Sequence, residues 1–216
     1  MTSNLKVGIL SIQGDIEENS NAIKESFEEL GIEGGIVYMR DLSDLDELDG
    51  LIIPGGESTV IGMILFLQGV QIDLLKKKIQ DGLPILGTCA GLIMLSNRAY
   101  DKTIGDTKQE LLKVLDVTIE RNAFGRQHES FESELDIPYL GQRGFNGVFI
   151  RGPIITETGK NVEIIAKYND KIVAVRQNNI LGTSFHPELA KDNRFHMNFT
   201  KSMIEYSKSK KKNMTN

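Results

Sequence analysis

The residues best suited to do chemistry in this sequence are Gly87-Thr88-Cys89-Ala90-Gly91, which hold its only cysteine. Residues 83–91 read as a short apolar strand that runs into a tight turn and then a helix. G-T-C-A-G has the form of a nucleophile elbow, with sulfur in place of the more familiar serine oxygen. A nucleophile forced onto a strand-to-helix turn takes strained backbone angles, so its neighbours must be small. Gly87, Ala90 and Gly91 meet that need. The positive end of a helix dipole also favours an anion at such a place. A buried cysteine packed behind a glycine-rich turn has the same local sequence. The elbow alone does not decide between the two.

A cysteine nucleophile needs a base, and the chain has three histidines. His196 falls inside a helical pattern among Arg and Asn, which suits a surface position. His128 lies in a charged loop. His186 directly follows an apolar strand pattern, with Glu188 two residues on. In an extended segment residues i and i+2 point the same way. Glu188 can then hold the imidazole, fix its tautomer and stabilise its charged form, while Pro187 stiffens the link. Cys89, His186 and Glu188 are therefore a candidate triad, although His186-Pro187-Glu188 taken alone reads more readily as an ordinary loop. Acyl transfer also needs hydrogen-bond donors for an oxyanion. The Ala90 amide, next after the nucleophile, and Gly56 in the bare loop Pro54-Gly55-Gly56 are the candidates.

The elements that must bring these residues together alternate in the first half. Strand patterns at 5–12, 35–39, 51–53 and 83–86 are separated by helical patterns after Asp15, after 57–59 and over 71–80. Asp15 is placed to cap the first of those helices. This alternation predicts an α/β fold, with a mostly parallel sheet covered by helices on both faces. The loops after Ile12, Ile53 and Leu86 then all lie at the C-terminal edge of the strands, where ligands bind in open α/β sheets. The second half predicts added strands at 115–120, 147–150, 162–168, 172–177 and 180–185, some in hairpins. It has a polar loop over 121–127, an irregular acidic stretch over 129–140 and a closing helix over 192–206.

With 216 residues the chain is expected to form one domain over 1–216, with 207–216 as a disordered, Lys-rich tail. The formal charge of −5 argues against nucleic-acid binding. A single cysteine rules out an intramolecular disulfide and fits a reducing, cytoplasmic compartment. Residues 1–6 are polar and lead straight into a strand pattern, so no signal peptide is expected. No apolar run reaches membrane-spanning length, so no membrane association is expected.

Gly87-Thr88-Cys89-Ala90-Gly91, Pro54-Gly55-Gly56-Glu57-Ser58 and Phe185-His186-Pro187-Glu188 together resemble the triad-type, class I glutamine amidotransferases. Leu10-Ser11-Ile12-Gln13-Gly14-Asp15, residues 121–127 and Ile150-Arg151-Gly152-Pro153 resemble more narrowly the glutaminase subunits of pyridoxal 5′-phosphate synthase. The likeness runs from residue 5 to about residue 190. The resemblance implies a flavodoxin-like open sheet and the hydrolysis of L-glutamine to glutamate and ammonia through a glutamyl thioester, with no cofactor and no metal. It implies that Gly56, Glu57, Ser58, Arg121, Ile150 and Arg151 bind glutamine. It further implies a partner, a TIM-barrel synthase subunit with a dodecameric core, that receives the ammonia and is met by Gln13 and Gly14. Each of Arg121 and Arg151, taken singly, reads equally well as a surface ion pair. The chain departs from the family in having Gly152 where Ala is usual, and Glu17-Glu18-Asn19 where a basic residue or His is common. Another enzyme on the same elbow, or a binding module that has lost the reaction, are the other readings. The intact Cys, His and Glu weigh against the last of them.

Overall fold

Leu-Lys-Val-Gly-Ile-Leu carries one charge in six residues, and it forms β1 (Leu5–Leu10), buried everywhere except at Lys6. Such a strand belongs inside a parallel sheet with both faces covered. The computed structural model describes residues 4–67, 69–124, 130–141 and 143–214. After β1 come α1 (Ile16–Leu30), β2 (Gly34–Met39), β3 (Gly50–Ile53), α2 (Ser58–Phe66), α3 (Val70–Gln80), β4 (Ile85–Thr88) and α4 (Ala90–Leu95). Then follow β5 (Ser96–Asp101), β6 (Gly105–Asp106), β7 (Leu115–Arg121), β8 (Ser130–Leu135), β9 (Phe145–Ile150) and β10 (Ile154–Thr158). The described chain closes with β11 (Glu163–Tyr168), β12 (Lys171–Gln177), β13 (Ile180–Thr183) and α5 (Arg194–Met214).

Strands β2, β1, β3, β4 and β13 lie side by side in that order, all parallel. This is the flavodoxin-like order, in which the chain reverses its direction of winding between β1 and β3. Beyond β13 the sheet becomes antiparallel through β12 and β10 to β7, and β5 joins β7 in parallel. The fold is thus the open α/β sheet with antiparallel additions that the sequence predicts. Side chains alternate along each strand. Leu51 and Ile53 of β3 therefore pack with Ile61, Leu65 and Leu75 of α2 and α3. Ile52 between them packs with Ile23 and Phe27 of α1 and with Phe199 and Met203 of α5.

Several sequence expectations need correction. The stretch 129–140 is not irregular throughout: Ser130–Leu135 pairs antiparallel with β9. Strands β5 and β10 carry polar residues at half or more of their positions, and neither was expected. Residues 207–214, expected as a disordered tail, continue α5. They are held there by burial of Ser207 and by the Lys210 ammonium, which donates to the Asp46 carbonyl at 2.9 Å. His128 and residues 125–127 lie outside the described residues. No single helix among the described residues is long and apolar enough to cross a membrane.

His196 is the clearest correction. It is not on the surface but fully buried between α5 and α1, where its Nε2 meets Asn19 Oδ1 at 3.2 Å. Burial pushes its pKa down to about 4. The folded protein therefore holds this ring neutral in a range where the unfolded chain, with a pKa near 6.5, protonates it. The unfolded state binds more protons, so stability rises with pH through this window. The contribution is complete above about pH 6.5 and falls away as the pH drops toward 4. Between pH 7.5 and 5 this one group is expected to cost about 2 kcal/mol. Urea midpoints of His196→Gln and the parent chain at the two pH values test it. A parent protein that loses no more stability than the variant would contradict the assignment.

Candidate active site

The sheet brings the elbow and the histidine to one edge. β4 and β13 are parallel neighbours, with Thr88 opposite Thr183. Both chains leave the sheet there, and the Cys89 amide donates to the Thr183 carbonyl at 2.8 Å. Cys89 has φ 48° and ψ −100°, a conformation that costs an L-residue free energy and is held only by the structure around it. What holds it is a very close approach of α4 to β3. A Cβ on Gly91 would lie 1.8 Å from the Ile53 carbonyl oxygen, so no other residue fits without moving backbone. The Cys89 thiol points toward the Ile150 carbonyl at 3.9 Å, at the end of β9.

Three residues past β13, the His186 amide donates to the Val148 carbonyl at 2.8 Å, which fixes the turn. The 3₁₀ turn Pro187–Leu189 then folds Glu188 back beneath the ring. Nδ1 of His186 lies 2.9 Å from Glu188 Oε1 and 3.0 Å from Asp15 Oδ2. Carboxylates only accept, so Nδ1 carries the proton. Nε2 is buried without a hydrogen bond and is the nitrogen left for proton transfer. Burial works against the charged ring. The Asp15 and Glu188 carboxylates on Nδ1 and the nearby Cys89 side chain outweigh it, and the imidazolium pKa is pushed up to about 12. The hydrogen bond with His186 holds the Asp15 carboxyl below its ordinary range, against the effect of burial. Burial pushes the Glu188 carboxyl up, and the imidazolium works against that.

In front of Cys89 opens a cavity of about 280 Å³. It is large enough for a ligand the size of an amino acid. One wall is a polar cluster at the start of α2. The Glu57 carboxylate caps that helix, accepting from the Thr59 amide at 3.2 Å, and also accepts from Arg121 Nη2 at 3.3 Å. Arg121 Nη1 donates to Gln109 Oε1 at 3.1 Å, and the Ser58 hydroxyl reaches the same oxygen at 3.3 Å. The guanidinium is thereby fixed in orientation at the end of β7, with only 18 % of the side chain exposed. Arg151, just past β9, takes a left-handed φ of 46° and lines the cavity as well.

Comparison with known proteins decides the family. The SNO glutamine amidotransferase family matches residues 9–205. The chain belongs to that family. A relative from Nitrosopumilus maritimus, named pyridoxal 5′-phosphate synthase subunit PdxT, is 44 % identical over 200 residues, or 93 % of this chain and 97 % of that one. A PdxT of Archaeoglobus fulgidus is 46 % identical over 197 residues, or 91 % and 98 %. A crystal structure of a glutamine amidotransferase superposes with a TM-score of 0.78 at 43 % identity, covering 91 % of this chain and 98 % of the other. A putative GMP synthase subunit from Thermoplasma acidophilum, at 18 % identity and a TM-score of 0.62, shares the fold.

In this SNO glutamine amidotransferase, most of the residues singled out from sequence meet in space. Cys89, His186, Gly56, Ala90, Glu57, Ser58, Arg121, Ile150, Arg151 and Gln13 all line the cavity. Glu188 lies behind His186, and Gly14 is exposed at the rim with Gln13. Sequence reasoning missed Asp15 as a partner of His186, because Asp before a helix reads as a cap. Asp15 does stand at the N-cap of α1, but its side chain makes no capping bond. It also missed Gln109, which lies in a stretch of no regular structure and gives no signal of its own.

Proposed function

We propose that this chain is the glutaminase subunit of a pyridoxal 5′-phosphate synthase, hydrolysing L-glutamine to L-glutamate and ammonia. The observation that carries this reading is the pairing of a strained, buried thiol with an imidazole whose Nδ1 is fixed by carboxylates, both opening on an amino-acid-sized cavity. Relatives that carry the synthase-subunit name match nearly end to end and support the choice of pathway.

Cys89 passes its thiol proton to Nε2 of His186 as its sulfur attacks the side-chain amide carbon of glutamine. The amide oxygen becomes an oxyanion, which the Gly56 and Ala90 amides stabilise. Nε2 of the His186 imidazolium gives its proton to the amide nitrogen, the C–N bond breaks and ammonia leaves. The glutamyl thioester remains. The now neutral Nε2 takes a proton from water, the hydroxide adds to the thioester carbon, the C–S bond breaks to release glutamate, and Nε2 returns the proton to the Cys89 sulfur. Glu188 keeps the ring oriented and stabilises its positive form throughout. Arg121 and Arg151 are the cations available to a substrate α-carboxylate, and Glu57 the anion available to its α-ammonium. Ser58 and the Ile150 carbonyl complete the glutamine site.

Ammonia is then passed to the synthase subunit, a TIM barrel in a dodecameric core. Gln13 and Gly14 meet that partner. The test is glutamine hydrolysis by the chain alone and with the synthase subunit. Slow turnover alone and a marked increase on adding the partner are expected. Absence of hydrolysis even with the partner would refute the glutaminase, and full activity alone would refute a partner-gated site.

A further inference from the structure

A three-membered triad needs one carboxylate on Nδ1, and His186 has two. Glu188 Oε1 at 2.9 Å and Asp15 Oδ2 at 3.0 Å approach the same nitrogen, which has one proton to offer. Asp15 arrives from the loop after β1, and its seat is built. Its carbonyl accepts from the Asn19 backbone amide at 3.3 Å and from Asn19 Nδ2 at 2.7 Å. The Asn19 side-chain oxygen Oδ1 in turn meets His196 Nε2, and both side chains are fully buried. Gly14 rests directly on the neighbouring glycine loop: a Cβ there would lie 1.6 Å from the Gly55 carbonyl oxygen. A Cβ on Gly55 would in turn lie 2.4 Å from the His186 ring and 2.7 Å from Asp15 Oδ2. Loop, ring and carboxylate thus touch with no free space between them.

We propose that Asp15 is a second positioning carboxylate of this site, which shares the Nδ1 proton of His186 with Glu188 and holds the ring in its charged form. The ionisable groups acting on the ring are Asp15 from the loop after β1, Glu188 from the turn that bears the ring, and Cys89 from the start of α4. Glu57, Arg121 and Arg151 line the same cavity. Of the two carboxylates, Asp15 is the one solvent reaches, with 29 % of its side chain exposed against none for Glu188. Its contact can therefore loosen without opening the core. Because Asp15 follows directly on Gln13 and Gly14, anything that shifts that exposed loop changes how firmly the ring keeps its proton.

The inference rests on His186 being the base of the proposed glutaminase, but its test does not use glutamine. Asp15→Asn keeps the shape of the side chain and an N-cap residue. The chain has three histidines, so its ring nitrogens can be followed individually by NMR across pH. Asp15→Asn is expected to lower the pH at which the His186 ring loses its charge by about one unit or more, and to leave His196 unmoved. Glu188→Gln should lower it too, and the double variant further than either. A His186 titration identical in the parent and in Asp15→Asn would overturn the proposal, whatever happens to melting temperature. Asp15→Ser, also suited to an N-cap, reads the same quantity should the Asn variant not fold. Failure to hydrolyse glutamine would sink the proposed function and leave this result standing.

Discussion

Cys89→Ala is expected to abolish ammonia release from glutamine in the presence of the synthase subunit, by at least about four orders of magnitude. The size follows from the route. Without sulfur no thioester forms, and water must attack an unactivated amide with only oriented dipoles to help. Nothing else in the chain can substitute, since Cys89 is its only cysteine. Its side chain borders the cavity and its hydrogen bond to the Ile150 carbonyl is long, so its removal should leave the fold intact. A circular dichroism melt checks that point. Cys89→Ser is expected to be nearly as inactive, because an alcohol holds its proton far more tightly than a thiol and the ring would have to remove it. Turnover retained in either variant would remove Cys89 from the mechanism.

The same stretch shows how much of the molecule could be read from sequence. Continuous apolar runs ending in glycine turns located β1, β3 and β4, because strands buried on both faces leave that imprint. Register then does what sequence cannot state directly: pairing of Thr88 with Thr183 carries Cys89 to within reach of a histidine 97 residues later in the chain (186 − 89). The failures have physical causes. β5, Ser-Asn-Arg-Ala-Tyr-Asp, has few apolar side chains because it lies near the sheet edge between β7 and the two-residue β6. His196 reads as exposed beside Arg194 and Asn198, yet it starts a buried stripe with Thr200, Met203 and Ser207 at helical spacing. Apart from Met203 that stripe is polar, because α5 lies close on α1: His196 meets Asn19 there, and just before α5 Asn193 Nδ2 donates to the Ser26 hydroxyl at 2.9 Å. A hydrophobicity pattern cannot register a helix contact made by small polar groups. Asp15 escaped for a related reason: its role depends on a partner 171 residues away (186 − 15), while its neighbours in sequence explain it adequately as a cap.

Gly91→Ala is expected to destabilise the fold by about 3 kcal/mol and to cost most of the activity of whatever still folds. In an ordinary helix the change would be favourable, since alanine is the better helix former. Here the added carbon would sit 1.8 Å from the Ile53 carbonyl oxygen and 2.8 Å from its carbon. Both are backbone atoms of a buried strand paired on each side, by β1 and β4, so neither can yield as a side chain would. The clash must instead push α4 and β3 apart. That movement reaches the site from two directions. α4 begins at Ala90, beside the thiol, and Ile53 leads into Pro54-Gly55-Gly56, the proposed second source of oxyanion donors. Displacing them separates the two amides proposed to converge on one oxygen, and such preorganised donors are each worth roughly 10²- to 10³-fold in rate. Urea unfolding gives the stability, and glutamine turnover under conditions where the variant is folded gives the activity. A variant as stable as the parent would show that α4 has room to shift. A variant that is destabilised yet fully active once folded would show that the oxyanion does not depend on how closely α4 and β3 are packed.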